Sequence, residues 1–82
     1  MNANLLSNLD KLRTTELGIV RIKRNLELAD STDVVAWCMR EIETANDIVR
    51  RGKNWYARTD KATITVNAHS FTIITAHKNK VQ

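Results

Sequence analysis

The chain has 82 residues, of which 43% are hydrophobic and 27% charged, with net charge +4, 2 Gly, no Pro and 1 Cys. This length makes one domain with a thin stability margin, because such a chain buries only roughly 60–65% of its unfolded surface. The composition excludes a disordered polypeptide, and the lone Cys38 excludes an internal disulfide framework or a cysteine zinc cluster.

No run of ~18 apolar residues is present to span a membrane. The opening MNANLLSNLDKL is too polar for a secretory signal. A cytoplasmic location is the default expectation, with no membrane partner.

Leu5, Leu6, Leu9 and Leu12 repeat at helical spacing and predict a first helix over about Ala3–Arg13. Thr14-Thr15-Glu16 reads as a new start with a hydroxyl cap. Leu17, Ile19, Val20, Ile22 and Leu26 then give a second helix one apolar side, with Gly18 suited to close packing. Asp30-Ser31-Thr32-Asp33 supplies oxygen caps and acids for a third helix start. Its apolar stripe is Val34, Val35, Cys38, Met39 and Ile42, with Trp37 on the flank, and it ends near Thr44.

From Ile48 the period changes to two. Three strands are expected, over about Ile48–Arg58, Ala62–Asn67 and Phe71–His77, the first broken or bulged at Gly52. Thr59-Asp60-Lys61 and Ala68-His69-Ser70 read as short turns. The expected fold is α+β: two or three N-terminal helices packed on one face of a three-stranded antiparallel meander. The expected organisation is a single domain over 1–82, with helices within 1–47, the meander over 48–78 and a tail over 79–82.

If each turn is a three-residue loop, Arg58 faces Ala62, Tyr56 faces Ile64 and Asn54 faces Val66. Across the next hairpin Val66 faces Thr72, Ile64 faces Ile74 and Ala62 faces Ala76. Tyr56, Ile64, Val66 and Ile74 then point to the core. Lys53, Trp55, Phe71, Ile73 and the threonines Thr63, Thr65 and Thr75 face water. A one-residue slip would exchange the faces.

Charge is uneven. From Arg50 onward seven Lys or Arg oppose Asp60 alone, a net of +6, whereas residues 1–49 carry −2. This asymmetry points to a polyanion partner. Bases stack on aromatic rings while Lys and Arg hold phosphates. The leading reading is noncatalytic binding of RNA or another polyanion by Lys53, Trp55, Arg58, Phe71, His77 and Lys78. Trp55 and Phe71 would stack, and the others would contact phosphate. The third reading is a homodimer or protein-interaction module that buries the same aromatic face.

The second reading, ahead of the homodimer, is a metal-independent ribonuclease or toxin, with His77 or His69 moving the proton. The two histidines are eight positions apart, about 26 Å along a strand at ~3.3 Å per residue, so they do not bracket one phosphate. His77 should sit near Arg58 and Lys61, and His69 near Arg51 and Lys53. No glycine-rich phosphate loop, H-E-x-x-H pattern or carboxylate cluster is present. No metal or cofactor is expected. Cys38, inside an apolar stripe, reads as an inert thiol.

The segments T-T-E-L-G-I-V-R-I-K-R-N-L (Thr14–Leu26), D-V-V-x-W-C (Asp33–Cys38), G-K-N-W-Y (Gly52–Tyr56) and I-T-V-N-A-H-S-F-T-I-I-T-A-H-K (Ile64–Lys78) carry a resemblance. Together they resemble the small bacterial proteins of the domain of unknown function 3781 family, found mainly in Firmicutes. The resemblance covers nearly the whole chain. It implies a cytoplasmic, single-domain bacterial protein and brings no activity or catalytic residue. The order of helices and meander is also similar to the core of microbial ribonucleases and of RelE-like and colicin-type toxins. Those folds carry a fourth strand or more, beyond the three read here, and topology alone does not establish function.

Overall fold

The computed structural model describes residues 4–79. The helix start expected at Ala3 and the tail beyond Asn79 lie outside them. The first described element is decided by side chains that compete with the helical ladder. Asn4 Oδ1 accepts from the Ser7 N–H at 2.9 Å, and Asn8 Nδ2 donates to the Asn4 carbonyl at 2.8 Å. In place of the continuous helix expected here stands a 3₁₀ helix, Leu6–Lys11, bent at Asn8. Leu5 and Leu12 still reach the core, whereas Leu6 faces water.

The next two starts lie where the cap residues place them. Thr15 Oγ1 accepts from the Gly18 N–H at 3.0 Å and opens α1 (Glu16–Leu26). Gly18, Ile22 and Leu26 form its buried stripe. A Cβ on Gly18 would stand 2.2 Å from Thr14 Oγ1, so the glycine makes room for a hydroxyl that donates to the Ile73 carbonyl. The helix closes at Glu27 in the left-handed region, with the Leu28 N–H returning to the Lys23 carbonyl. Asp33 Oδ1 accepts from the Ala36 N–H at 3.1 Å and opens α2 (Val34–Glu43), which buries Val34, Cys38 and Ile42.

Four strands follow: β1 (Asp47–Arg51), β2 (Asn54–Arg58), β3 (Ala62–Asn67) and β4 (Ile73–Lys78). All pair antiparallel in chain order. The expected count of three is corrected because the stretch read as one broken strand is a hairpin. Gly52 adopts φ +55°, and Gly52-Lys53 reverse the chain between the paired Arg51 and Asn54. Positive φ at the first turn position alone is the pattern of a II′ hairpin, which calls for Gly there.

The pairing of β2 with β3 is also corrected by one residue. Thr59 belongs to the hairpin rather than to the loop. Its N–H donates to the Ala62 carbonyl at 2.9 Å. Its buried Oγ1 accepts from the N–H groups of Lys61 and Ala62. Only Asp60 and Lys61 then turn the chain, and Arg58 faces Thr63 rather than Ala62.

Between β3 and β4 the loop is longer than expected. Asn67 Oδ1 gathers the N–H groups of His69 and Ser70, and Phe71 takes φ +58°. A bulge at Thr65/Val66 then pairs Val66 with Ile73 but Ile64 with Ala76. The inward set becomes Trp55, Ala57, Ala62, Ile64, Val66, Ile73 and Ala76, all buried. Tyr56 and Ile74, assigned to the core by the sequence pattern, belong to the other face. Trp55 and Ile73 exchange with them.

One hydrophobic core joins these side chains to Leu5, Leu12, Ile22, Leu26, Val34, Cys38 and Ile42. α1 lies along β4, and α2 touches α1 and the 3₁₀ helix. The outer edge of β4 is engaged at Ile73 and Ala76. Ile73 N–H donates to the Arg13 carbonyl at 2.7 Å and Arg13 N–H to the Phe71 carbonyl at 3.1 Å. Thr14 Oγ1 caps the Ile73 carbonyl at 2.9 Å, and Asn25 Nδ2 caps that of Ala76 at 3.3 Å. No helix among the described residues is long and apolar enough to cross a membrane.

Candidate functional site

The strand pairing sorts the face opposite the core into rows of side chains. One row runs Asp47, Arg58, Thr63, His77; the next runs Val49, Tyr56, Thr65, Thr75; a third runs Arg51, Asn54, Asn67. Directly paired residues on one face stand about 4.5–5.5 Å apart at Cβ. The face is therefore hydroxyl-rich, with one half-buried ring, Tyr56, at its centre and guanidinium groups on both sides of that ring. A shallow groove of ≈ 400 Å³ follows it, lined by Val49, Arg51, Tyr56, Arg58 and Thr63.

Around the end of the sheet that carries the Gly52 turn, a second groove of ≈ 350 Å³ is lined by Arg50, Gly52, Lys53, Asn67, Ala68 and His69. The antiparallel order puts the β1–β2 and β3–β4 turns at this end and the Asp60 turn at the other.

The ion pairs divide the cations by the same axis. Arg58 grips Asp47 through two bonds, Nε to Oδ1 at 3.0 Å and Nη2 to Oδ2 at 2.8 Å. Lys61 lies 3.9 Å from Glu41, and Lys78 pairs with Glu27. All three pairs sit toward the Asp60 end. Arg50, Arg51 and Lys53 at the Gly52 end have no acidic partner among the described residues. The Asp47 carboxyl is held below its ordinary range, first by the hydrogen bond from Arg58 and further by that cation's charge. Glu27 is lowered by the bond from Lys78 and by its charge.

The six expected contact residues divide between the two sides of the sheet. Lys53, Arg58 and His77 are exposed on or beside the wet face. Lys78 is exposed too, but it reaches toward α1 and Glu27. Trp55 lies on the inner side and is 5% exposed, so it offers no stacking surface. Phe71 is half-buried and packs against the core, its ring 5.5 Å from that of Trp55 and tilted by 39°. Lys11 Nζ lies 5.4 Å from the centre of the Phe71 ring. The two aromatics meet as a structural pair.

His69 and His77 occupy opposite ends of the sheet: His69 shares a groove with Lys53 and Arg50, and His77 shares a row with Arg58 across Thr63. The sequence pattern leaves Arg51 out of the contact set and assigns Tyr56 to the core. The signal for both is Gly52-Lys53 as a two-residue turn with alternating side chains on either side.

Burial, and the nearby Glu41 carboxylate after it, push the Cys38 thiol up to about 12, so it carries no thiolate at neutral pH. No group of three or more His, Cys, Asp or Glu side chains among the described residues is placed to hold a metal ion.

No curated protein and no solved structure matches the chain. A family model does: the one described as Protein of unknown function (DUF3781) matches residues 6–77, from the 3₁₀ helix to the last of the wet-face residues at His77, and the chain belongs to that family.

Proposed function

We propose that this protein binds single-stranded RNA without cleaving it, along the wet face of the sheet and around its Gly52 end. Two cations beside a ring-bearing, hydroxyl-rich surface carry this reading. Arg51 and Lys53 have no acid to satisfy them among the described residues, while Arg58, Lys61 and Lys78 at the far end are engaged and Arg50 lies over Trp55 on the other side of the sheet. Phosphates fit Arg51 and Lys53, and a base fits the Tyr56 ring between Arg51 and Arg58. Thr63, Thr75, Asn67 and His77 supply donors and acceptors for ribose and base edges. Lys53, Arg58 and His77 remain in the contact set; Arg51 and Tyr56 take the places of Trp55, Phe71 and Lys78.

The test is fluorescence anisotropy of a labelled single-stranded RNA oligonucleotide over a series of salt concentrations. Affinity should fall with salt, with a log–log slope of about −0.7 per phosphate contact. Arg51→Ala with Lys53→Ala should flatten that slope by about 1.4. Tyr56→Ala should weaken binding by roughly 1–3 kcal/mol. Absence of binding at low salt, or variants indistinguishable from the parent protein, would overturn the reading. Equal affinity for heparin would reduce it to general polyanion capture.

A second reading has one observation behind it: His77 and Arg58 share a row on the wet face, one on each side of Thr63. A phosphodiester laid across that row would meet an imidazole and a guanidinium together. Breakage of the same RNA in chelator, lost in His77→Ala, would replace binding by cleavage as the function.

A further inference from the structure

β1 forms one edge of the sheet. Backbone bonds at the two ends of β2 fix which groups look outward. Ala68 N–H donates to the Lys53 carbonyl at 2.7 Å and Thr59 N–H to the Ala62 carbonyl at 2.9 Å. Lys53, Trp55, Ala57 and Thr59 therefore address β3. Asn54, Tyr56 and Arg58 address β1, as the 2.7 Å bond from Asn46 N–H to the Arg58 carbonyl shows. Their partners Arg51, Val49 and Asp47 point back at β2. By the alternation of antiparallel ladders, the N–H and C=O groups of Ile48 and Arg50 point away from the sheet.

Among the described residues no backbone group answers them. β1 has neither proline nor bulge; it is blunted only by its five-residue length and by Asp47, Arg50 and Arg51, whose opposite signs can face each other across a twofold axis. On the β4 edge, by contrast, Arg13, Thr14 and Asn25 answer the Ile73 N–H and the carbonyls of Ile73 and Ala76, and α1 lies along the strand.

We infer that two copies of this chain join through β1, antiparallel about a twofold axis at Val49, into one continuous eight-stranded sheet. In that register Ile48 of each copy faces Arg50 of the other, so the four outward residues exchange their backbone bonds. Val49, which is 37% exposed, meets Val49. Asp47 of each copy stands opposite Arg51 of the other on the wet face. Arg58 occupies one site on each Asp47 oxygen, which leaves lone pairs for a second guanidinium. Sliding the strands by one bonding step toward the turn would set Arg50 against Arg50 and lose both charge pairs, so charge selects this register. The contact is isologous and closes on itself. It is also small, five residues per strand, which makes the dimer concentration-dependent.

Sedimentation equilibrium from about 1 μM to about 1 mM, the span of micromolar to millimolar affinities, tests this. The parent protein should pass from monomer to dimer mass. Val49→Asp and Val49→Lys should each remain monomeric, with circular dichroism unchanged because the side chain is on the surface. An equimolar mixture of the two should regain dimer mass, since only residue 49 pairs with itself. Val49 pairs with its copy at a non-hydrogen-bonded site, where Cα atoms lie about 4.5 Å apart. That is within disulfide reach, so Val49→Cys should cross-link under mild oxidation.

Monomer mass for the parent protein throughout the range would overturn the inference. A dimer that ignores both charged variants would overturn it too, as would a mixture that stays monomeric. Arg51 belongs to both proposals, so these measurements are made without RNA, and their outcomes are read from mass alone, separately from the RNA titration.

Discussion

Trp55 and Tyr56 are neighbours with opposite fates. One-residue alternation sends the indole to the core, 5% exposed, and the phenol ring to the wet face. The indole is also held by Phe71 at 5.5 Å and by Arg50, whose guanidinium lies 5.7 Å from the ring centre. Phe71 accepts a left-handed backbone, unusual for a bulky residue, to place its ring there. Trp55→Ala should therefore cost about 3–5 kcal/mol of stability in urea unfolding, the range for large aromatic truncations. Tyr56→Ala should cost far less. Equal losses for the two would return the register to the one expected from the sequence pattern.

At the scale of elements, what could be read from the chain was what local chemistry decides. Thr15 and Asp33 cap helices within three residues of themselves, and both α1 and α2 begin where those residues stand. The alternation inside β3 was equally plain: Ala62, Ile64 and Val66 inward, Thr63 outward. The partners of β3 were not plain. Thr59 could be a loop residue or a strand residue, and its hydroxyl chooses by capping Lys61 and Ala62. That one choice moved every side chain of β2 to the other face. A second ambiguity, the Asn67-anchored loop and the bulge after it, did the same to the start of β4. The 3₁₀ helix escapes the pattern because leucine spacing is blind to what Asn4 and Asn8 do to the backbone.

Gly52 tests the hairpin that the period-two pattern hid. Nothing lies within 4 Å of a Cβ built there, so Gly52→Ala pays only for its positive φ. Roughly 1–2 kcal/mol should be lost in chemical denaturation. No loss would mean that the backbone conformation at this turn is not imposed by the fold.

Across the sheet, charge is polarised: the ion pairs lie toward the Asp60 end, and Arg50, Arg51 and Lys53 at the Gly52 end have no acidic partner among the described residues. The pairs make stability depend on acid. Asp47 and Glu27 have carboxyl groups lowered in the folded state by Arg58 and Lys78. In the unfolded chain they return to ordinary values of about 3.9 and 4.3. The unfolded state then binds more protons in that window, so stability rises with pH through it. The contribution is present above the unfolded values and is lost as pH falls through the folded ones. Melting temperature should therefore drop below about pH 4, and Asp47→Asn with Glu27→Gln should flatten that drop. Both groups are on the surface, so salt should weaken the effect. An unchanged acid slope in the double variant would assign the sensitivity elsewhere.

The stitching of Arg13, Thr14 and Asn25 onto β4 also has a bearing on birth at the ribosome. Until Ile73–Lys78 has left the exit tunnel, α1 has no β4 to lie along. Contacts between such distant stretches of the chain must wait for loop closure. α1 is thus synthesised before the strand it lies along, and the emergence of Ile73–Lys78 completes that contact.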